Sequence, residues 1–73
     1  MKDKIYKFND NFAKNLKRER SANNLTQKNM AQQIGITTQS YQAYEAGLTM
    51  PTAENLLKIC IILNVSLDYL FEM

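Results

Sequence analysis

The chain has 73 residues, 45% apolar and 22% charged, with a formal net charge of +2, no histidine and one cysteine, Cys60. This length allows one small domain and leaves little room for an enzymatic cleft, and the composition excludes an internal disulfide, a Cys/His zinc site and a Ser-His or Cys-His nucleophile pair within one chain. Without a long apolar run or a signal-type stretch, we expect a cytoplasmic protein with no membrane segment, cofactor or metal.

The charge is distributed unevenly along the chain. Residues 1–28 carry a net +5, whereas residues 29–73 carry a net −3. A basic end favours a polyanionic partner such as nucleic acid, but it is also typical of a plain solvated face. The spacing of the other residues has to decide between the two.

Period-two alternation is absent, and the apolar residues recur at three and four positions, so we predict an all-helical domain. Residues 1–8 are interpreted as a basic N-terminal arm, and residues 9–73 as the domain. Asn9 or Asp10 is the expected cap of a first helix that runs to about Ser21. Its buried stripe is predicted to be Phe12, Ala13 and Leu16.

A second helix is predicted to begin after the cap Thr26, with Gln27 at its first position, and to end at Gly35. Asn29 stands where a capping box usually has Glu or Gln, so we expect a weakened box. The inward residues of this helix are predicted to be Met30, Ala31 and Ile34.

A third helix follows almost at once, over about 38–46, with Thr37 as its cap and Gly47 as its stop. Ile36 and Tyr41 occupy the two positions of a hydrophobic staple around that cap. Tyr41 and Tyr44, three residues apart, are predicted to face inward.

Thr52 is the expected cap of a fourth helix that ends at Leu63, and Ser66 the cap of a short fifth helix carrying Leu67, Leu70 and Phe71. In the fourth helix we predict that Leu56, Leu57, Cys60 and Leu63 face inward. This leaves a surplus of apolar residues, namely Ile59, Ile61 and Ile62.

Two short helices joined by a few residues that include glycine have the arrangement of a helix-turn-helix. In a single register, the chain resembles the Cro/repressor (lambda-repressor-like) DNA-binding domains over roughly residues 9–71. The matching segments are Leu25-Thr26-Gln27, Met30 to Gly35, Tyr44 to Gly47, Pro51-Thr52, Leu56-Leu57 and Asn64 to Leu70. The resemblance implies a compact five-helix lambda-repressor-like fold and double-stranded DNA as the partner.

In this family the helix that corresponds to residues 38–46 lies in the major groove. The resemblance therefore implies that its outward residues read bases: Thr38, Gln39, Gln42 and Ala43. Glutamine pairs with adenine through two hydrogen bonds, and a Thr or Ala methyl contacts the thymine methyl, so an AT-leaning site is expected. The alternative is that these are ordinary surface residues of a helix.

The resemblance also implies phosphate contacts near the N-terminus of the second helix, where Gln27 lies, because free N–H groups and the helix dipole attract anions there. The expected phosphate-binding residues are Gln27, Lys28, Thr37, Lys14, Lys17 and Arg18. Arg20 and Glu45 occupy the positions of a partly buried ion pair between the first and third helices. The alternative is two independent surface charges.

No basic residue lies between Lys28 and Lys58, where relatives often carry several, so one domain should bind DNA weakly. We expect a homodimer through the C-terminal helices, at Ile61, Ile62 and Phe71. The leading hypothesis is a non-enzymatic bacterial or phage transcriptional regulator, a nucleoid-associated repressor that binds a palindromic operator. The rival hypothesis is a protein-interaction module of the same fold, such as an antirepressor or an antitoxin-like regulatory partner.

Overall fold

A computed structural model describes the backbone of residues 2–72 and the side chains of residues 10–72. The regular structure within this part of the chain is helical, in five segments: α1 (Lys2–Ala22), α2 (Gln27–Ile34), α3 (Thr38–Glu45), α4 (Ala53–Leu63) and α5 (Leu67–Leu70). The predicted all-α class and the order of five helices are confirmed. Among the described residues, none of the helices combines the length and the apolar character needed to cross a membrane.

The first helix is longer than the sequence pattern indicates. It begins at Lys2 instead of after a cap at Asn9 or Asp10, so the backbone of residues 2–8 is helical and continuous with the rest of α1. No glycine or proline interrupts residues 2–22, and an Asn or Asp inside a helix costs only about 0.7 kcal/mol relative to alanine. The cap predicted at residues 9 and 10 is therefore wrong. The side chains of the arm, residues 1–8, lie outside the described side chains.

The four later helices all begin with a hydroxyl cap. In each, the cap side chain accepts a hydrogen bond from the backbone N–H three residues later, and the caps are Thr26, Thr37, Thr52 and Ser66. The Thr26 N–H in turn donates to Asn29 Oδ1 at 3.2 Å, so the capping box is complete. The expectation that Asn29 weakens this box is wrong, because its carboxamide oxygen reaches the same N–H.

The helix ends, like the helix starts, are determined by a few neighbouring residues. Left-handed residues follow α1, α2, α3 and α4, with positive φ at Asn24, Gly35, Gly47 and Asn64. At the end of α1, the Leu25 N–H bonds to the Arg20 carbonyl at 3.2 Å and the Asn24 N–H to the Ser21 carbonyl at 3.0 Å. These bonds satisfy carbonyls that a helix end leaves open, and they reverse the chain within a few residues. Only residues 35–37 separate α2 from α3.

The core lies where α1 meets the other helices, with α3 and α5 packed on α1, and α2 packed on α3 and α4. The Phe12 ring stacks on Phe71, with centroids 5.1 Å apart, and Tyr41 meets Tyr44 edge to face at 6.0 Å. The buried apolar side chains of this core are Phe12, Leu16, Met30, Ala31, Ile34, Tyr41, Tyr44, Ile59, Leu63 and Leu70.

The buried face of α4 differs from the predicted one. Ile59 is fully buried, whereas Leu57 is 62% exposed. The inward stripe is therefore centred on Ile59 and Leu63, four residues apart, with Leu56 and Cys60 partly buried beside it. Because nearly every position from 56 to 63 is apolar, the pattern alone could not fix the rotation of this helix.

Candidate nucleic-acid interface

The α2–α3 pair presents one face of α3 to solvent. Tyr41 and Tyr44 turn the opposite face of this helix into the core, so Gln39 and Gln42 point away from the protein. Of the predicted base-reading residues, Gln39 and Gln42 are exposed, and Thr38 and Ala43 are partly buried beside them. Two glutamine amides therefore protrude from an uncharged helix face.

A buried ion pair ties α3 to α1. The Arg20 guanidinium donates from Nε to Glu45 Oε2 at 2.6 Å and from Nη2 to Oε1 at 3.1 Å. The two side chains are only 13% and 3% exposed. The Tyr41 hydroxyl also donates to Glu45, and Arg20 Nη1 donates to the Leu25 carbonyl at 2.8 Å. The expected ion pair is thus present, and it fixes the orientation of α3 on α1.

The surroundings of Glu45 keep this pair charged. Burial acts to raise the pKa of the Glu45 carboxyl, but hydrogen bonds from Arg20, Tyr41 and Gln27 outweigh it, and the pKa lies below its ordinary value. Burial raises the pKa of Tyr41, so its hydroxyl remains a donor. The hydrogen bond to Glu45 raises the pKa of Arg20. The guanidinium charge is therefore neutralised inside the protein and adds little attraction for a polyanion.

Gln27, the first residue of α2, connects the ion pair to the exposed face of α3. Its Nε2 donates to Glu45 Oε1 at 3.1 Å, and its Oε1 accepts a hydrogen bond from Gln42 Nε2 at 3.2 Å. An amide nitrogen carries two N–H bonds, so the second one can still meet a phosphate. Sequence reasoning identified Gln27 as a phosphate donor but missed both bonds, because no local pattern shows that Glu45 and Gln42 lie beside it.

Thr37, another expected phosphate ligand, has an internal role. Its Oγ1 accepts the Ser40 N–H at 3.0 Å and donates to Ser40 Oγ at 2.9 Å. A phosphate oxygen needs a donor, and the single hydroxyl proton of Thr37 is already directed at Ser40. The exposed Ser40 hydroxyl, which sequence reasoning missed, is left to donate outward.

The basic side chains of α1 differ in their direction around the helix and in their partners. At 3.6 residues per turn, Lys17 lies about 60° from Arg20 and Arg18 about 160° from it. Arg18 Nη2 donates to Asn15 Oδ1 at 2.8 Å and to the Tyr69 hydroxyl at 3.0 Å, and its guanidinium lies 5.7 Å from the Tyr69 ring centroid. Arg18 therefore contacts the α5 side, although it is exposed like Lys14, Lys17 and Lys28. Lys14, four residues before Arg18, lies about 40° from it around the helix, between Arg18 and Lys17.

The apolar surface of α4 consists of Leu57 and Ile61, which are 62% and 78% exposed and one turn apart. Ile62 is partly buried against the core, and Phe71 stacks on Phe12. Of the three residues expected at a dimer interface, only Ile61 is fully on the surface. Leu57, predicted to face inward, accompanies it.

Comparisons with known proteins agree on one class of domain. A helix-turn-helix family matches residues 16–70. An uncharacterized HTH-type transcriptional regulator of Bacillus subtilis, YqaE, is 49% identical over 61 residues, which are 84% of this chain and 53% of that protein. The cryptic phage CTXphi transcriptional repressor RstR of Vibrio cholerae is 49% identical over 55 residues, 75% of this chain and 49% of the repressor.

A third relative is the SPbeta prophage-derived uncharacterized HTH-type transcriptional regulator YonR of Bacillus subtilis, 39% identical over 61 residues, 84% of this chain and 56% of that protein. The chain thus spans about half the length of the curated relatives it matches. No solved structure matches it.

Proposed function

Since the chain belongs to the Cro/repressor-type (lambda-repressor-like) helix-turn-helix family of DNA-binding transcriptional regulators, we propose that it is a repressor that binds a palindromic operator as a homodimer. It acts by binding alone and catalyses no reaction. Its site of action is the DNA of a bacterial cytoplasm, and the phage repressor among its relatives supports the sign of regulation.

The observation that carries this proposal is the pair of glutamine amides, Gln39 and Gln42, exposed on α3 opposite the buried tyrosines. A helix of this kind fits the major groove, where glutamine matches the donor and acceptor of adenine. The methyl groups of Thr38 and Ala43 beside them suit thymine. Because this face offers no arginine for guanine, the operator is expected to be AT-leaning.

Phosphate contacts would hold the duplex against α3. The donors are the backbone N–H groups at the start of α2, the free N–H of Gln27 and the Ser40 hydroxyl, with Lys28, Lys14 and Lys17 adding charge. Arg20 and Arg18 are excluded from this set because both are engaged within the protein. With few free cations among the described side chains, residues 10–72, affinity for DNA should fall only gently as salt rises.

A dimer would supply the second half-site. We assign its interface to the exposed pair Leu57 and Ile61 on α4, instead of to Ile62 and Phe71, because Ile62 is partly buried and Phe71 packs on Phe12. Two apolar side chains one turn apart on both copies allow a symmetric helix pair, although they form only a small contact. Bound DNA would bring the two copies together.

The test is selection from a randomised pool of duplex DNA at low salt, with Gln39→Ala and the exposed α2 variant Gln33→Ala in parallel. We expect an inverted repeat for the wild type, loss of preference at one position per half-site for Gln39→Ala, and no change for Gln33→Ala. Ile61→Lys should weaken binding to the full repeat more than binding to one half-site. A wild-type pool without any consensus would contradict the proposal.

A second candidate is the protein-interaction module, an antirepressor or antitoxin-like partner with weak DNA affinity. The apolar side chains on the surface favour it: Leu48 is 77% exposed, and Leu57 and Ile61 lie on α4. Under this reading Gln39→Ala changes nothing, whereas Ile61→Lys abolishes capture of a protein partner. Gln39→Ala therefore separates the two candidates, because it changes the base preference under the first and has no effect under the second.

A further inference from the structure

We propose that Glu45, acting through Gln27, fixes the orientation of the Gln42 amide toward the DNA, and that Gln42 thereby prefers adenine to guanine. The inference rests on the proposed function, since it concerns which base α3 reads. Glu45 and Gln27 are positioning residues here, and Gln42 is the residue that touches the base.

The first step is the contact between Glu45 and Gln27. An ionised carboxylate only accepts hydrogen bonds, and Glu45 already accepts from Arg20 and Tyr41. The Gln27 amide must therefore turn its NH2 group to Glu45, as it does at 3.1 Å. The reversed amide would place the Gln27 oxygen against the carboxylate oxygen, two acceptors without a proton between them.

The second step transmits this orientation to α3. With its NH2 group at Glu45, Gln27 presents its oxygen to Gln42, which donates from Nε2 at 3.2 Å. An exposed glutamine on its own can present either end of its amide. Here the acceptor at Gln27 favours one orientation, and the direction of donation runs from Gln42 to Gln27 to Glu45.

The third step is the edge that remains for a base. One N–H of Gln42 is used on Gln27, so its outward edge consists of one N–H and Oε1. Adenine offers an acceptor at N7 and a donor at N6, which match this edge, whereas guanine offers two acceptors, N7 and O6. A Gln42 that has one free N–H cannot satisfy both guanine acceptors, and guanine is disfavoured.

The experiment compares base preference at the position that Gln42 reads. Duplex selection is run on the wild type, Gln42→Ala, Gln27→Met, the double variant and the matched control Gln33→Met on the exposed part of α2. Met keeps the length of the Gln27 side chain but removes its donor and its acceptor. Circular dichroism confirms that each variant is helical.

We expect the wild type to prefer adenine to guanine by about tenfold at one position per half-site, the lower range for a two-bond base contact. Gln27→Met should reduce this ratio to about twofold at that same position, Gln42→Ala should abolish it, and the double variant should equal Gln42→Ala. Gln33→Met should leave it at about tenfold. A lost phosphate contact lowers the affinity for all sequences together and does not change this ratio.

Two results would overturn the inference while leaving the proposed function intact. In the first, Gln42→Ala changes no position of an otherwise clear consensus. In the second, Gln27→Met weakens binding but keeps the tenfold ratio at the position that Gln42 reads. The absence of any wild-type consensus is a different result, which overturns the proposed function together with the inference.

Discussion

Two polar junctions attach other helices to α1, and they are built differently. At the α1–α3 junction, a charged pair, Arg20 and Glu45, is largely buried. At the α1–α5 junction the buried group is neutral: Asn15 is 5% exposed, and its Nδ2 donates to the carbonyls of Tyr69, Leu70 and Glu72 at 3.3, 3.0 and 2.9 Å.

The difference shows what each junction has to achieve. A buried ion pair adds little net stability over an apolar contact, but each charge depends strongly on its partner, so the pair has one acceptable geometry. That suits α3, whose exposed glutamines need a fixed orientation. A neutral amide that caps the open carbonyls of a short helix costs less to bury, and it suits α5, which needs only to stay closed on the core.

Among substitutions that test this difference between the junctions, Glu45→Ala has the largest expected effect. The substitution leaves the Arg20 guanidinium buried without its partner, together with the Tyr41 hydroxyl, and should lower the free energy of unfolding by about 3–5 kcal/mol. Urea denaturation followed by circular dichroism measures this loss. Glu54→Ala is the matched control, because Glu54 pairs with Lys58 at the surface, and it should cost less than about 1 kcal/mol. Equal losses of unfolding free energy in the two variants would show that burial does not make the Arg20–Glu45 pair more important for stability than a surface pair.

Acid should lower the free energy of unfolding through the same α1–α3 junction, by less than Glu45→Ala does. The pKa of Glu45 is lower in the folded protein than its ordinary value, so its contribution to stability is complete above the unfolded-state pKa and is lost as pH falls through the folded-state pKa. We expect the urea concentration at the unfolding midpoint of the wild type to decrease when the pH is lowered past about 4.3, the unperturbed pKa of glutamate. Glu45→Gln should show a flatter pH profile, and parallel profiles would contradict this assignment.

Asn15→Ala tests the neutral junction. It removes the donor from three carbonyls at the end of the chain and should cost about 1–3 kcal/mol in the free energy of unfolding. Hydrogen exchange should show faster exchange at α5 and little change at α3. If α3 exchanged faster by the same factor, the two junctions would not be independent.

The smallest expected effect separates Arg18 from Lys17. Arg18→Ala should change stability by less than about 1 kcal/mol, because its contacts at Tyr69 are largely exposed. It should also leave the salt dependence of DNA binding unchanged, whereas Lys17→Ala should reduce the slope of log affinity against log salt by about 1. Filter binding between low and physiological salt measures the slopes of both variants, and urea denaturation measures the stability of Arg18→Ala. A reduced slope for Arg18→Ala would place Arg18 at a phosphate.

Local signals in the sequence predicted most of the fold. The hydroxyl caps at Thr26, Thr37, Thr52 and Ser66 and the left-handed stops at Gly35, Gly47 and Asn64 are properties of a few consecutive residues. The rotation of α4 and the start of α1 escaped prediction for opposite reasons. In α4 too many positions are apolar, and before residue 10 nothing in the chain stops a helix.

The candidate site was predictable as a surface but not as a network. Burial of Tyr41 and Tyr44 fixes the direction of Gln39 and Gln42, which helical spacing indicates. The links from Gln42 to Gln27 and from Gln27 to Glu45 join residues on different helices, so only the packed structure reveals them. Asn15 was missed because an asparagine on a helix is ordinarily a surface residue, and its carbonyl partners lie more than fifty positions away.

The hydrogen bonds of Asn15 also bear on when each of the two junctions can be completed during synthesis. Residues 10–63 contain α2, α3 and α4 together with both residues of the ion pair. The three carbonyls that receive Asn15 do not exist outside the exit tunnel until residue 72 has emerged. Until then the Asn15 carboxamide and the Phe12 ring lack their partners from α5 and the residues after it. All groups of the α1–α3 junction therefore lie within residues 10–63, whereas the α1–α5 junction needs the chain up to residue 72.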